Sequence, residues 1–362
     1  MTLTEIIFIL TGTCAVLFFG GKLVCLFMTL TPKLCYPLPN SFFTSLGKWA
    51  VVTGGSDGIG RAYAQEFSKH GMNVVIISRN QEKLDRAARK IELNTGGEVK
   101  VIAADFTKDD LYGNIKKNIE GLDIGILVNN VGILPNQIPC KLLETADLEE
   151  RIHAVINCNV KAMVKMCRIV LPGMQERRRG VILNVSSGIA KIPCPIYTLY
   201  AASKVFVERF SEGLQAEYKS KGIIIQVQCH TVMFINACCF VLHKTQTNHT
   251  QLFNHEMVFH AANSMDIVKY QCPQSGLLFS QTVAPFGVST SMTGYQKPDM
   301  VTFTTEEFVR SSLMYLKAGD QTYGSATHTI LGWIVQGIPT WILQSEAFQH
   351  HFKEYVKERI GS

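Results

Sequence analysis

The stretch Thr53-Gly54-Gly55-Ser56-Asp57-Gly58-Ile59-Gly60 constrains this chain more than any other. Residues 49–52 before it (Trp-Ala-Val-Val) form the continuous apolar run of a strand buried on both faces, and residues 59–70 after it have a helical pattern. A strand, a glycine-rich turn and a helix in that order offer a nucleotide phosphate close backbone approach and free N–H groups at a helix start. A glycine cluster alone is a weak signal, because many tight turns contain one. Its meaning depends on the order of segments downstream.

That order is a regular alternation. Residues 73–78, 99–103, 124–128, 181–185 and 223–226 read as strands, and 81–93, 108–119, 148–174 and 199–218 as helices. In residues 81–93, for example, Leu84, Ala87, Ala88 and Ile91 fall on one helical face. Alternation of this kind predicts an α/β fold, a doubly wound parallel sheet of Rossmann type with helices on both faces. Ligands of such sheets bind at the carboxyl ends of the strands. The polar motifs stand there: Asp105 after the third strand, Asn130 and Gly132 after the fourth, Ser187 after the fifth.

Composition narrows the function. A net charge of +6 without a dense basic stripe gives no support for a nucleic-acid partner. The 11 cysteines contain no CxxC pair, which fits a reducing compartment better than a disulfide framework, and no metal site is expected. Residues 6–30 are nearly all apolar, with Lys22 the only charge, and are long enough to span a bilayer. A cleaved signal peptide and a helix lying on the membrane surface are the competing readings. Glu5 precedes the run while Lys33 and Lys48 follow it, which places the rest of the chain on the cytosolic side. Three regions follow from this: an anchor and proline-bearing linker at 1–45, an α/β domain at 46–320, and an apolar segment with a helical tail at 321–362.

The glycine motif, the Asn129-Asn130-Val131-Gly132 segment, Ser187 and Tyr200-Ala201-Ala202-Ser203-Lys204 resemble, in order and spacing, the short-chain dehydrogenase/reductase family. Within it, residues 104–110, 123–132 and 183–190 are similar to the membrane-anchored 17-beta-hydroxysteroid dehydrogenases. The resemblance implies NADPH-dependent reduction of a 17-ketosteroid to the 17-beta-hydroxysteroid, as of androstenedione to testosterone, at the endoplasmic-reticulum membrane. It implies a homodimer as well. A very-long-chain 3-ketoacyl-CoA reductase shares much of the same pattern and is the alternative.

The residues make chemical sense of that reaction. Tyr200 and Lys204 are four apart and share a helix face, and an ammonium beside a phenol favours proton exchange near neutral pH. Ser187 is suited to donate to a carbonyl oxygen as negative charge develops there. The resemblance assigns Asn159 to holding a water in the proton relay and Lys204 also to the nicotinamide ribose. Gly54, Ser56, Asp57, Gly58, Ile59 and Gly60 form the phosphate turn, with Asp105 near the adenine and Asn130 and Gly132 along the cofactor. Val288 and Thr290 match the family's contacts to the carboxamide. The second strand ends Ser78-Arg79-Asn80 without the acid an NAD site requires, and Arg79 suits a 2′-phosphate, so the cofactor is expected to be NADPH.

One segment departs from the family. Joining Gln226 to Thr282 restores a family-like strand and loop, so residues 227–281 read as an insertion. They hold Cys229, Cys238, Cys239 and Cys272 without zinc-ligand spacing, and their pattern has neither helical nor strand period. An insertion here raises a further alternative, a chain that binds nucleotide without turning over a ketone.

Overall fold

In the computed structural model the described residues are 2–31, 38–39, 41–229, 287–290, 292, 295, 302–316, 321–322 and 324–361. Most of residues 227–281, and with them most of the expected insertion, lie outside this set.

Six strands carry the sheet in the sequence-predicted places: β1 (Trp49–Thr53), β2 (Asn73–Ser78), β3 (Val99–Ala103), β4 (Ile124–Asn129), β5 (Gly180–Ser186) and β6 (Ile223–Cys229). Between them run α3 (Gly58–Lys69), α4 (Gln81–Thr95), α5 (Tyr112–Ile119), α6 (Leu148–Val155), α7 (Ala162–Arg177) and α8 (Thr198–Tyr218). Two further helices precede β1, α1 (Leu3–Leu30) and α2 (Phe42–Leu46). After residue 286 come β7 (Gly287–Val288), β8 (Thr302–Phe303), α9 (Thr305–Met314), β9 (Gln321–Thr322), α10 (Ala326–Gln336), α11 (Thr340–Gln344) and α12 (Glu346–Gly361). The main sheet has seven strands in the order β9-β6-β5-β4-β1-β2-β3, and all its pairings are parallel. The chain order reverses between β1 and β4, which opens a crevice at their carboxyl ends.

The continuous apolar runs have a simple cause. Successive strand residues point to opposite faces, and both faces are covered. Val52, Ile76 and Val128 pack on one side with Tyr63, Phe67 and Phe308, while Val51, Ile77 and Leu127 pack on the other with Met166 and Ile182. The helices are punctuated as their residues dictate. Asn80 Oδ1 accepts from Lys83 N at 2.8 Å to start α4, and Gly96 ends it at φ 71°. Thr304 and Glu307 form a reciprocal capping box at α9.

Two expectations are corrected. The helix expected from residue 108 begins at Tyr112, because Asp105 Oδ1 accepts from Thr107 N (3.1 Å) and Thr107 Oγ1 (2.9 Å) and turns the chain there. The sixth strand does not hand over at Gln226. It continues through Cys229, with Val227 and Gln228 between Asn184 and Val185 of β5 and Gln321 and Thr322 of β9. Residues 3–30 form one helix; among the described residues no helix is long and apolar enough to cross a membrane.

Candidate active site

A cleft of about 360 Å³ opens at the carboxyl ends of β1 to β5. Its floor is the glycine turn. Thr53, fully buried at the end of β1, donates through Oγ1 to Val128 O (3.2 Å) and accepts from Asn130 N (3.0 Å) and Val131 N (3.2 Å). Asn130 Nδ2 in turn donates to Thr53 O (3.1 Å) and Gly54 O (3.3 Å). The two strand ends that flank the crevice are thereby stitched together. Gly60 lies under this stitch: a Cβ there would sit 2.2 Å from Gly54 O and 2.6 Å from Asn130 Nδ2. No other residue leaves room for the turn to fold onto the start of α3. Asp57 caps that helix by accepting from Gly58 N at 2.7 Å, and the following N–H groups of the first turn have no intrahelical partner. They face the cleft with the positive end of the helix dipole.

The sequence-predicted nucleotide residues converge here. Gly54, Ser56, Asp57, Gly58 and Ile59 line the cleft, as do Arg79, Asp105, Asn130 and Gly132. Gly60 supports the turn from beneath. Ser56 Oγ donates to Ser78 Oγ at 2.9 Å, holding the turn to the end of β2 where Arg79 stands. Lys83 joins Arg79 on the lining. Sequence reasoning passed over Lys83, although its place four residues after Arg79, on the first turn of α4, was readable. Val288, Thr290 and Met292 close the opposite side. Tyr295 OH donates to Asp57 Oδ2 at 2.8 Å, so the chain beyond the expected insertion reaches back to the glycine turn.

Tyr200 and Lys204 enter the cleft from α8, both buried. The Lys204 ammonium stands 5.6 Å from the Tyr200 ring centroid and donates to Val185 O at 3.1 Å. A Cβ on Gly132 would lie 3.3 Å from Lys204 Nζ and 3.6 Å from Asn159 Oδ1, so Gly132 is the point where the lysine and the asparagine meet the β4 loop. Asn159 does not line the cleft. It sits behind it in a π-helical turn, Ile156–Lys161, between α6 and α7. Its Oδ1 accepts from Ile133 N (2.8 Å), and its Nδ2 donates to Ile133 O (3.0 Å) and Ser203 Oγ (3.1 Å). Ser203 Oγ donates on to Tyr200 O at 2.7 Å. A π-turn inserts one residue into the helix and often marks functional positions; here it presents Asn159 to both the β4 loop and α8.

Ser186 lines the cleft; Ser187, the serine expected to act on the carbonyl, stands one residue further along and outside that lining. Ser187 is 2% exposed, and its Oγ accepts from Ile189 N at 3.4 Å, which leaves the hydroxyl proton available to another acceptor. Beyond it an apolar cluster gathers Ile189, Tyr197 and Tyr200 with Leu343, Phe348 and Phe352 of the C-terminal helices. Cys158 also borders the cleft, where burial pushes its thiol up to about 12 against the lowering influence of Lys204. Among the described residues no His, Cys, Asp and Glu gather into a metal-binding group.

Comparison with known proteins agrees with this arrangement. Residues 48–237 match the short chain dehydrogenase family. The chain is 71% identical over 359 residues to 17-beta-hydroxysteroid dehydrogenase type 3 of Danio rerio, covering 99% of both proteins. It is 40% identical over 296 residues to the very-long-chain 3-oxoacyl-CoA reductase of Anas platyrhynchos, covering 82% of this chain and 77% of that one. Among solved structures it is similar in fold to a short-chain dehydrogenase from Sphingobium yanoikuyae in complex with NADPH, at 20% identity and a TM-score of 0.54 over 76% of this chain and 86% of that chain. The strand order, the glycine turn beneath the crevice and the Tyr200–Lys204 pair thus have one family context: the chain belongs to the short chain dehydrogenase family.

Proposed function

We propose that this protein reduces a 17-ketosteroid to the 17-beta-hydroxysteroid with NADPH, in the manner of androstenedione to testosterone. The observation that carries the substrate class is the 71% identity to a 17-beta-hydroxysteroid dehydrogenase type 3 across 99% of both chains. Identity to the 3-oxoacyl-CoA reductase is 40% and covers less of each chain.

The cleft residues fit the cofactor. Arg79 and Lys83 place two cations at the end of β2, where residues 78–80 hold no acid to accept from a ribose hydroxyl, and both would hold a 2′-phosphate. The first turn of α3 and the bare Gly54–Gly60 approach suit the pyrophosphate. From the lining of the cleft, Asp105 would meet the adenine side, Asn130 and Gly132 the length of the cofactor, and Val288 and Thr290 the carboxamide. When bound, NADPH supplies the hydride. Lys204 holds the nicotinamide ribose and keeps a cation beside the Tyr200 ring. Tyr200 delivers the proton to the carbonyl oxygen. Ser187 donates its free hydroxyl proton to the same oxygen as charge develops. Asn159 orders the β4 loop and the α8 backbone around the relay, and its Oδ1 keeps one lone pair that a water would use.

Membrane association belongs to the same reading. Helix α1 exposes Phe8, Val16, Leu17, Phe18, Phe19 and Leu23, side chains that a lipid environment would cover. The charge order around it favours an orientation with the catalytic domain in the cytosol, and the endoplasmic-reticulum membrane is the location the family resemblance implies. A homodimer would cover Val205 and Phe206, which are exposed on α8.

The test is a ketone panel in microsomes with NADPH and NADH, using the chain with and without residues 227–281. Turnover of androstenedione with NADPH is expected. Turnover of a 3-ketoacyl-CoA alone would reassign the substrate, and NADPH binding without turnover of any ketone would favour a non-catalytic nucleotide-binding protein. Sedimentation after alkaline wash and cross-linking test the membrane and dimer assignments.

A further inference from the structure

The hydroxyl of Ser187 must be held at a set distance from Tyr200 if both are to meet one carbonyl oxygen, yet the two stand on different elements. Ser187 is at the end of β5, and its side chain bonds within its own turn, Gly188–Lys191. Tyr200 is on α8. Bonds on either side of the serine tie the Ser187 turn to α8. Before it, Ser186 Oγ donates to Lys204 O at 2.9 Å. After it, Lys191 Nζ donates to Glu208 Oε2 at 3.0 Å.

The second contact is the unusual one. Glu208 is only 6% exposed, although it lies outside the cleft lining. A buried carboxylate is costly unless it is paired, and packing at this position would be served as well by an apolar side chain. Its place in the helix explains its use. Glu208 is four residues beyond Lys204 and eight beyond Tyr200, so the three share one face of α8. A charge there acts on whatever that face is packed against, and this is the Ser187 turn. The ion pair and the Ser186 bond bracket Ser187 within six residues of chain.

We infer that the Lys191–Glu208 ion pair is a positioning device that sets Ser187 against Tyr200, so that both are positioning residues for the reduction. The inference rests on the reading that Ser187 and Tyr200 act on the same carbonyl oxygen. Lys191 and Glu208 touch no reacting atom in this scheme. Their effect passes through Ser187 and should vanish when the serine hydroxyl is gone.

The experiment is a double-mutant cycle in the full chain in membranes, with Glu208→Gln in the wild-type and Ser187→Ala backgrounds. Glu208→Gln keeps the shape and removes the charge. It is expected to lower kcat by about 10- to 100-fold, the scale of a misplacement of up to about 1 Å, while KM and the NADPH Kd change by less than about twofold. In the Ser187→Ala background the same substitution should lower the residual kcat by less than about twofold. Hydrogen exchange supplies a readout that needs no ketone: amides of residues 187–196 should exchange about tenfold faster in Glu208→Gln, and those of residues 49–60 at the wild-type rate. If Glu208→Gln does not fold, Lys191→Met carries the same cycle from the more exposed side of the pair. Equal losses in the two backgrounds would overturn the inference. So would unchanged exchange over 187–196, whatever ketone the enzyme uses. Loss of androstenedione turnover in the wild type alone would instead fault the substrate assignment.

Discussion

Replacing Thr53 by valine isolates one hydroxyl on which both walls of the cleft depend. Valine has the same shape, so no cavity opens and the change is confined to hydrogen bonding. Three bonds are lost: the donation to Val128 O and the two acceptances from Asn130 N and Val131 N. Thr53 itself is fully buried, whereas Asn130 and Val131 are partly exposed, so water can recover part of what their N–H groups lose. At about 1 kcal/mol for each bond the total is about 3 kcal/mol. At about 2.1 cal/mol/K of unfolding entropy per residue, a chain of 362 residues then loses about 4 °C in melting midpoint. Gly132, which abuts Lys204 and Asn159, lies on the loop thus released, so NADPH affinity should weaken by about tenfold, equivalent to about 1.4 kcal/mol of binding free energy. Thermal melting in detergent and titration of NADPH fluorescence measure the two effects. A midpoint within about 2 °C of wild type, together with unchanged NADPH affinity, would refute the argument that this hydroxyl holds the crevice.

Four other outcomes are expected. Tyr200→Phe should lower ketone reduction by at least about 10³-fold with NADPH binding retained, because only the proton donor is removed; stopped-flow hydride transfer and cofactor titration check it. Arg79→Glu should move the NADPH to NADH preference toward NADH by about 10²-fold in kcat/KM, and Lys83→Ala should do so by a smaller factor; unchanged ratios would remove both from the 2′-phosphate. Cys158 has its thiol pushed up to about 12, so its neutral form persists below that pH and the thiolate fraction at pH 8 is about 10⁻⁴; mass spectrometry after brief alkylation should find it unmodified, and labelling at the rate of an unfolded peptide thiol would contradict its burial. Deleting residues 227–281 should raise both melting temperature and androstenedione turnover. Thr282-Val283-Ala284 would then take the places of Val227-Gln228-Cys229 in the ladder from β6 to β5; a full-length chain as active and as stable as the deletion would show the segment to be accommodated.

Much of this molecule is local in its determinants, and that part was legible in the sequence. Strands such as β2 and β5 announce themselves because both of their faces are buried, so every residue from Val74 to Ile77 is apolar. Helix starts at Asp57 and Asn80 are written in side chains that bond to amides one to three residues away. The glycine turn, the end of β2 and the Tyr200–Lys204 spacing are likewise short-range patterns, and the parallel order of the strands carries them to one edge of the sheet without further instruction.

What the tertiary structure decided lies between segments distant in the chain. No spacing rule leads from Thr53 to Asn130, 77 residues away, or from Asp57 to Tyr295, 238 away. The partners of Asn159 depend on a π-turn that shifts its helix by one residue, and the pairing of Lys191 with a buried Glu208 looks in the sequence like two ordinary surface charges. The continuation of β6 through Cys229 was decided by neighbouring strands on both of its edges, not by the composition of Val227-Gln228-Cys229. Hydrophobic period and capping chemistry act over one or two turns of chain, and so they specify elements; which buried polar group answers which is settled only when the sheet brings their ends together.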